Sequence, residues 1–131
     1  MDTQTAFDIV MTHLWNQNGV SRKPFGGQCA YRGPNGTKCA IGALIPDPLY
    51  NRGMEGSSVS VLLNMNPKVA ALPSLQALCV TDACGVPLHI TLQRLHDQYI
   101  CSVIPSFRMY LREMAAVIAR RYNLTLNLPK E

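Results

Sequence analysis

Residues 3–17 read TQTAFDIVMTHLWNQ, and their apolar positions repeat at the spacing of an α-helix. The apolar side chains recur every three or four residues, at Ala6, Phe7, Val10, Met11 and Leu14. This spacing places them on one side of a helix, facing a core. Asp2 or Thr3 can cap the first turn, and the Asn-Gly pair at 18–19 can end the last one. The stretch therefore predicts an amphipathic N-terminal helix.

Helical patterns recur in four later segments, at 59–66, 68–79, 87–99 and 105–122. Pro73 interrupts the second segment, which predicts two short turns there rather than one helix. The last segment carries a continuous apolar stripe, and Asn123 suits a left-handed cap after it. Residues 124–128 (LTLNL) alternate apolar and polar side chains, which fits a short strand or an extended tail.

Residues 29–39 read CAYRGPNGTKC and carry the pattern of a tight turn. Pro34 and Asn35 suit the central positions of a type I turn, and Gly36 suits the left-handed residue after it. This combination is typical of a β-hairpin with a glycine bulge. The whole chain is therefore predicted to be mainly α: a compact helical domain of about four to five helices with one early β-hairpin.

Length and composition limit the classes of protein. A chain of 131 residues has enough length for one core, so residues 1–131 are predicted to form a single domain. Hydrophobic residues make up 47% and charged residues 15%, which excludes a disordered polyelectrolyte. Twelve Lys and Arg against eight Asp and Glu give a net charge of +4. That balance is too mild for an obligate DNA-binding protein.

Several features favour a soluble protein of the cytoplasm. The first residues, MDTQTAFD, lack the basic segment and apolar run of a secretory signal. The longest apolar stretches are too short to cross a bilayer core of ~30 Å. The five cysteines are irregularly spaced, at Cys29, Cys39, Cys79, Cys84 and Cys101. An odd, irregular set is more typical of reduced thiols than of a disulfide scaffold.

The residue patterns specify no metal or cofactor. Cys29 and Cys39 flank the turn, but neither has the close second ligand of a structural zinc site, and whether they touch is left open. Residues 33–38 lack the Gly-Lys pair of a phosphate-binding loop. His89 and His96 lie two turns apart on a predicted helix, ~10 Å at 1.5 Å per residue, too far to share one ion. We interpret both as polar residues of the helix surface; a Cys–His nucleophile pair is the alternative.

The loops after the turn and the last helix hold the candidates for ligand binding, because binding residues concentrate in loops on a rigid scaffold. The candidates are Tyr31, Arg32, Lys38, Asp47, Tyr50, Glu55, Arg108 and Arg112. The cationic side chains suit phosphate groups, and the tyrosines suit stacking on a base. The two acids, Asp47 and Glu55, would complete a polar pocket. No catalytic residue is predicted.

Residues 29–47 (CAYRGPNGTKCAIGALIPD), with Tyr50 and the sequence Met-Glu-Gly at 54–56, resemble a family of small uncharacterised phage and prophage proteins. Residues 92–97 (LQRLHD) are similar to a second block of that family's pattern. The likeness covers about half the chain. It implies a viral accessory gene and assigns no activity.

This resemblance and the absence of a catalytic motif lead to an expected function. We expect a non-enzymatic, phage-encoded binding protein in the cytoplasm of the infected bacterial host. It would antagonise a bacterial defence system by sequestering a nucleotide-derived signalling molecule or by blocking a host defence protein. Homo-oligomerisation is compatible with either route, and no membrane partner is expected. The alternatives are a small Cys/His-dependent enzyme acting on a nucleotide or protein, and a weak nucleic-acid-binding accessory protein.

Overall fold

A computed structural model describes residues 1–23 and 28–129 of the chain, and these residues are mainly helical. The α-helices in them are α1 (Thr3–Gln17), α2 (Val59–Met65), α3 (Pro67–Ala70), α4 (Pro73–Ala77), α5 (Leu88–Asp97) and α6 (Phe107–Arg121). The two short turns predicted around Pro73 are α3 and α4, which brings the number to six. Within the described ranges, no helix combines the length and apolar character needed to cross a membrane.

The helix ends follow local capping chemistry. The Asp2 carboxylate accepts a hydrogen bond from the Thr5 backbone N–H, and Asn18 ends α1 in the left-handed conformation, with φ 53°. Ser58 and Ser106 cap α2 and α6 in the same way as Asp2 caps α1. These caps supply partners for N–H groups that the first turn of a helix leaves unpaired. The predicted bounds of α1 are therefore confirmed.

The core lies around α6, which packs against both α1 and α5, with α4 packed against α1. Its largest fully buried apolar side chains are Phe7, Met11, Leu14, Ile41, Ile45, Leu62, Leu75, Leu78, Leu88, Leu92 and Leu111. Burying one such side chain stabilises a fold by roughly 1.5–3 kcal/mol. The segment at 124–128 is an extended tail rather than a strand. It is fixed to α1 by reciprocal hydrogen bonds between Gln4 and the Thr125 backbone, of 2.8 and 2.9 Å.

A tight reversal forms at residues 34–36, as the sequence predicts. The Gly33 N–H donates to the Thr37 carbonyl oxygen at 2.9 Å across the turn. Asn35 is itself left-handed, with φ 59° and ψ 30°, and Gly36 follows with φ 73°. Asn35 therefore departs from a type I turn, in which the second central residue has a negative φ.

The predicted early β-hairpin is wrong. Arg32 and Lys38 form an isolated antiparallel bridge, and the described residues contain no strand on either side of the turn. The physical reason is that the flanking backbone groups bind side chains from elsewhere. The Tyr31 and Arg32 N–H groups donate to the Glu55 carboxylate. The Lys38 N–H and C=O are both bound by the Gln17 amide, so a ladder cannot extend.

Candidate functional site

Five of the predicted ligand-binding residues come together in one place: Tyr31, Arg32, Asp47, Tyr50 and Glu55. We call them the loop cluster. Glu55 lies at its centre, because its Oε1 accepts from the Tyr31 N–H at 2.9 Å and its Oε2 from the Arg32 N–H at 3.0 Å. The Tyr50 hydroxyl also donates to Oε2, at 2.6 Å. One carboxylate thus holds two segments of loop against each other.

The Arg32 guanidinium completes the loop cluster. Its Nη1 pairs with Asp47 Oδ1 at 2.6 Å, and its Nη2 donates to the Ile45 carbonyl oxygen at 2.8 Å. It also stacks on the Tyr50 ring, 4.5 Å from the centroid. Burial, with the neighbouring Glu55 second, raises the pKa of Tyr50 to about 12. The Arg32 charge is therefore paired with Asp47 inside the loop cluster, although its buried Nε has no hydrogen-bond partner among the described residues. The guanidinium also occupies one face of the Tyr50 ring.

The other three predicted residues lie elsewhere. Arg108 and Arg112 of α6 both stack on the Trp15 ring, at 5.0 and 4.9 Å from its centroid. Arg108 Nε donates to the Trp15 carbonyl oxygen, and Arg112 donates to the Pro129 carbonyl oxygen. Lys38 lies beside the end of α1. Arg108 and Arg112 are therefore not part of one site with the loop cluster, and Lys38 adjoins it through its backbone bridge to Arg32.

A pocket of about 430 Å³ opens between α5, the start of α2 and the segment before the turn. Its lining consists of residues 28–31, Cys39, residues 56–60, Ile90, Gln93, Arg94 and Asp97. We call it the Asp97 pocket. Its volume falls in the range of small-molecule sites, ~300–1,000 Å³. Of the eight predicted binding residues, Tyr31 is the one that belongs to this described lining.

A hydrogen-bonded network forms the polar wall of the Asp97 pocket. Asp97 Oδ1 accepts from His96 Nδ1 and from Gln93 Nε2, each at 2.8 Å. Gln93 Oε1 accepts in turn from the Ile41 N–H at 3.2 Å. His96 Nε2 accepts from the Ser21 N–H at 2.9 Å. The network therefore ties two loops to α5 and fixes the orientation of the Asp97 side chain.

The network also assigns the tautomer of His96. Because the Ser21 backbone N–H donates to Nε2, that nitrogen carries no proton, and the ring proton lies on Nδ1, where it is donated to Asp97. His96 is fully buried and His89 is 7% exposed. The interpretation of these histidines as surface residues is therefore wrong. Burial lowers the pKa of His89, whose ring lies against the Leu78 carbonyl oxygen.

Cys29, His96 and Asp97 bring three potential metal-ligand atoms within 4.8 Å of one another. A zinc ion would suit such donors in principle. Bound through Nδ1, however, a neutral His96 ring would carry its proton on Nε2, facing the Ser21 N–H. That arrangement places two donors against each other and leaves a buried amide unpaired. The cluster therefore does not fit a metal ion.

The same three residues do not form a nucleophile–base pair either. Burial, and after it hydrogen bonding to Asp97, raises the pKa of Cys29 to about 12. The group at neutral pH is the thiol, whereas the nucleophile in cysteine chemistry is the thiolate. Both nitrogens of His96 are occupied, so the ring has no position left from which to take the thiol proton.

A second pocket of similar volume lies beside the end of α6. Its acid, Asp82, accepts from the Cys84 and Val86 N–H groups at 2.9 Å and pairs with Arg121. The Val86 amide first, and then Arg121, lower the pKa of Asp82. These contacts close the loop onto α6, which explains the residues without a ligand.

The sequence interpretation missed Gln93, Arg94 and the serines at 57–60 as site residues, and it did not select Asp97. A sequence signal existed for the α5 residues alone. Residues 92–97, predicted to be similar to a block of the phage-protein pattern, contain three of the four α5 residues in the lining. These residues line one pocket because α5 packs against the segment that carries Cys29.

No family model, curated protein or solved structure matches the chain. The resemblance to small phage and prophage proteins is therefore still a prediction from sequence.

Proposed function

We propose that this protein is a non-enzymatic binding protein that holds a small nucleotide-derived molecule in the Asp97 pocket. One observation carries the proposal: a pocket of about 430 Å³ has an acid, Asp97, and a cation, Arg94, on the same wall. A nucleotide carries N–H donors on its base and negative charge on its phosphate. The carboxylate suits the first and the guanidinium suits the second.

Binding without turnover is supported by the state of the reactive groups. Burial, and after it hydrogen bonding to Asp97, raises the pKa of the Cys29 thiol, and His96 is engaged at both nitrogens. A ligand in the pocket would therefore meet no activated nucleophile and no unoccupied imidazole nitrogen. In the phage setting that the resemblance implies, stoichiometric capture of a signalling nucleotide in the host cytoplasm would antagonise a defence system.

The proposal is tested by ligand recovery. The purified protein is incubated with cyclic mononucleotides and cyclic dinucleotides of adenine and guanine, separated from unbound nucleotide, and heated. Mass analysis of the released fraction should recover at least one nucleotide intact, in about one equivalent per chain. Recovery of a chemically altered nucleotide would favour the Cys/His-dependent enzyme instead. Recovery of none would overturn the proposal.

Two tryptophan substitutions on α2 make a matched pair for this experiment. Ser60 is exposed and lines the pocket, whereas Asn64 is exposed one turn later and does not belong to the lining. Ser60→Trp should fill the pocket and abolish recovery, and Asn64→Trp should leave it unchanged. Equal recovery by both variants would place the ligand outside the Asp97 pocket.

A second route to the same function, the blocking of a defence protein, is favoured by the loop between α5 and α6. Ile100 and Val103 expose 60% and 96% of their surface there. Val103→Asp should abolish capture of a defence protein from infected cells if this loop is the contact, and should not change nucleotide recovery. Partner capture that weakens steeply with salt would instead favour the nucleic-acid-binding alternative.

A further inference from the structure

We infer that Asp97 is the specificity-determining residue of the pocket, and that it selects a nucleobase bearing an exocyclic amino group by accepting a hydrogen bond from it. The inference rests on the proposed function, because it specifies which nucleotides the pocket takes. It predicts that adenine and guanine are preferred over hypoxanthine and xanthine, which carry a carbonyl oxygen where the first two carry the amino group.

The hydrogen bonds of Asp97 show which acceptor is left for a ligand. An ionised carboxylate has about four lone-pair sites, two on each oxygen. His96 Nδ1 and Gln93 Nε2 both donate to Oδ1, so that oxygen is filled. The side chain is 40% exposed and belongs to the pocket lining. The Asp97 oxygen that can accept a hydrogen bond from a ligand is therefore Oδ2.

The neighbouring donor is a weak one. The Cys29 Sγ lies within 4.8 Å of a carboxylate oxygen of Asp97, and after burial this neighbour raises the pKa of the thiol. An S–H group is a poor donor compared with an N–H group, and hydrogen bonds from N–H to a carboxylate are among the strong ones in proteins. An amino group entering the pocket would therefore replace a weak interaction with a stronger one.

The Gln93 amide on the α5 wall cannot adapt to accept a different base edge. Gln93 uses its oxygen for the Ile41 N–H and its nitrogen for Asp97, so its amide cannot rotate to present the opposite group. Asp97 is the one acid among the described lining residues. If a base carbonyl oxygen were placed against the Asp97 carboxylate, two acceptors would face each other and neither would have a hydrogen-bond donor.

Asp97→Asn is the substitution that reverses this chemistry while keeping the fold. The amide oxygen of asparagine can take the place of Oδ1, because His96 and Gln93 both donate to that position. The amide nitrogen then takes the place of Oδ2. The pocket would present a donor where it had presented an acceptor, and the network on the buried side would be unchanged.

The experiment measures the affinities of two matched nucleotide pairs by calorimetry: cyclic AMP against cyclic IMP, and cyclic GMP against cyclic XMP. In each pair, an amino group is replaced by a carbonyl oxygen at the same ring position. The protein should bind the amino member of at least one pair tenfold or more tightly. Asp97→Asn should reduce that ratio at least tenfold by weakening the amino member and strengthening the oxo member. Asp47→Asn, a carboxylate outside the pocket, should keep the original ratio.

Each outcome decides a different statement. If nucleotides bind but Asp97→Asn keeps the wild-type ratio, the role of Asp97 is overturned and the proposed function stands. If no nucleotide binds the wild-type protein, both fail together. A wild-type ratio near one overturns the inference by itself, so the test does not depend on the variant folding.

Discussion

The loop cluster and the Asp97 pocket are both polar regions built from loops on the same helical scaffold, and they differ in how their hydrogen bonds are used. In the loop cluster, Glu55 accepts three hydrogen bonds from the protein, and the Arg32 charge is matched by Asp47. In the pocket, one oxygen of Asp97 is filled and the side chain still reaches solvent. The two central carboxylates therefore differ: protein donors occupy both oxygens of Glu55, whereas His96 and Gln93 donate to the same oxygen of Asp97.

The largest loss of stability is expected from a substitution beside Tyr31, the residue that the two regions share. Tyr31 belongs to both, and Gly42 packs directly behind it, so a Cβ at residue 42 would lie 2.1 Å from the Tyr31 carbonyl oxygen. Gly42→Ala must therefore displace main chain and should lower the free energy of unfolding by about 3 kcal/mol or more. Urea denaturation measures this change in the free energy of unfolding. Gly19→Ala is the matched control, since nothing lies within 4 Å of the added carbon; equal losses would contradict the packing described.

The next effect tests the structural role of the loop cluster. Glu55→Ala removes the acceptor for two backbone N–H groups and the Tyr50 hydroxyl, and should cost about 2–3 kcal/mol of unfolding free energy. Glu113→Ala, on the exposed face of α6, should change it by less than ~0.5 kcal/mol. A Glu55→Ala protein as stable as this control would mean that the cluster is free to bind a ligand after all.

A smaller effect concerns the thiol in the pocket. Because the pKa of Cys29 is raised to about 12, its thiolate fraction at pH 8 is very small. Iodoacetamide should modify Cys29 at least tenfold more slowly than the exposed Cys79, Cys84 and Cys101, a difference of about 1.4 kcal/mol in activation free energy. Peptide mass spectrometry over time gives the rates. Modification of Cys29 before the exposed thiols would revive the enzymatic interpretation.

The smallest effect comes from His89, which is on α5 but in neither region. Burial lowers its pKa below the usual 6.5, so the unfolded chain binds the proton more readily. The stability contributed by the neutral ring is complete above pH 6.5 and declines as the pH falls below it. His89→Gln should flatten the dependence of unfolding free energy on pH between 5 and 7. An unchanged slope in His89→Gln would contradict this assignment.

The parts of the molecule that the sequence predicted are those set by local chemistry. The bounds of α1 follow from its apolar period and from caps within a few residues, and the reversal at Pro34 follows from its own turn residues. The hairpin failed because Glu55 and Gln17, distant in sequence, take the backbone groups that a ladder needs.

The site was harder to predict for the same reason. The loop-cluster residues are close in sequence, and their grouping was foreseen, but the hydrogen bonds of Glu55 and the pairing of Arg32 with Asp47 depend on packing. The Asp97 pocket joins α5 to the segment carrying Cys29, and the tautomer of His96 depends on the backbone of Ser21. Single-sequence periodicity contains no information about such long-range contacts.

The most direct test of the difference between the Asp97 pocket and the loop cluster is a map of backbone amide chemical shifts. The ¹⁵N-labelled protein is titrated with the nucleotide that the recovery experiment identifies. We predict that the perturbed amides lie at residues 56–60 and 93–97, along the pocket wall. The amides of Asp47 and Tyr50, in the loop cluster, should not move. Perturbations concentrated at residues 32–38 and 47–50, with the α5 wall unchanged, would contradict the account.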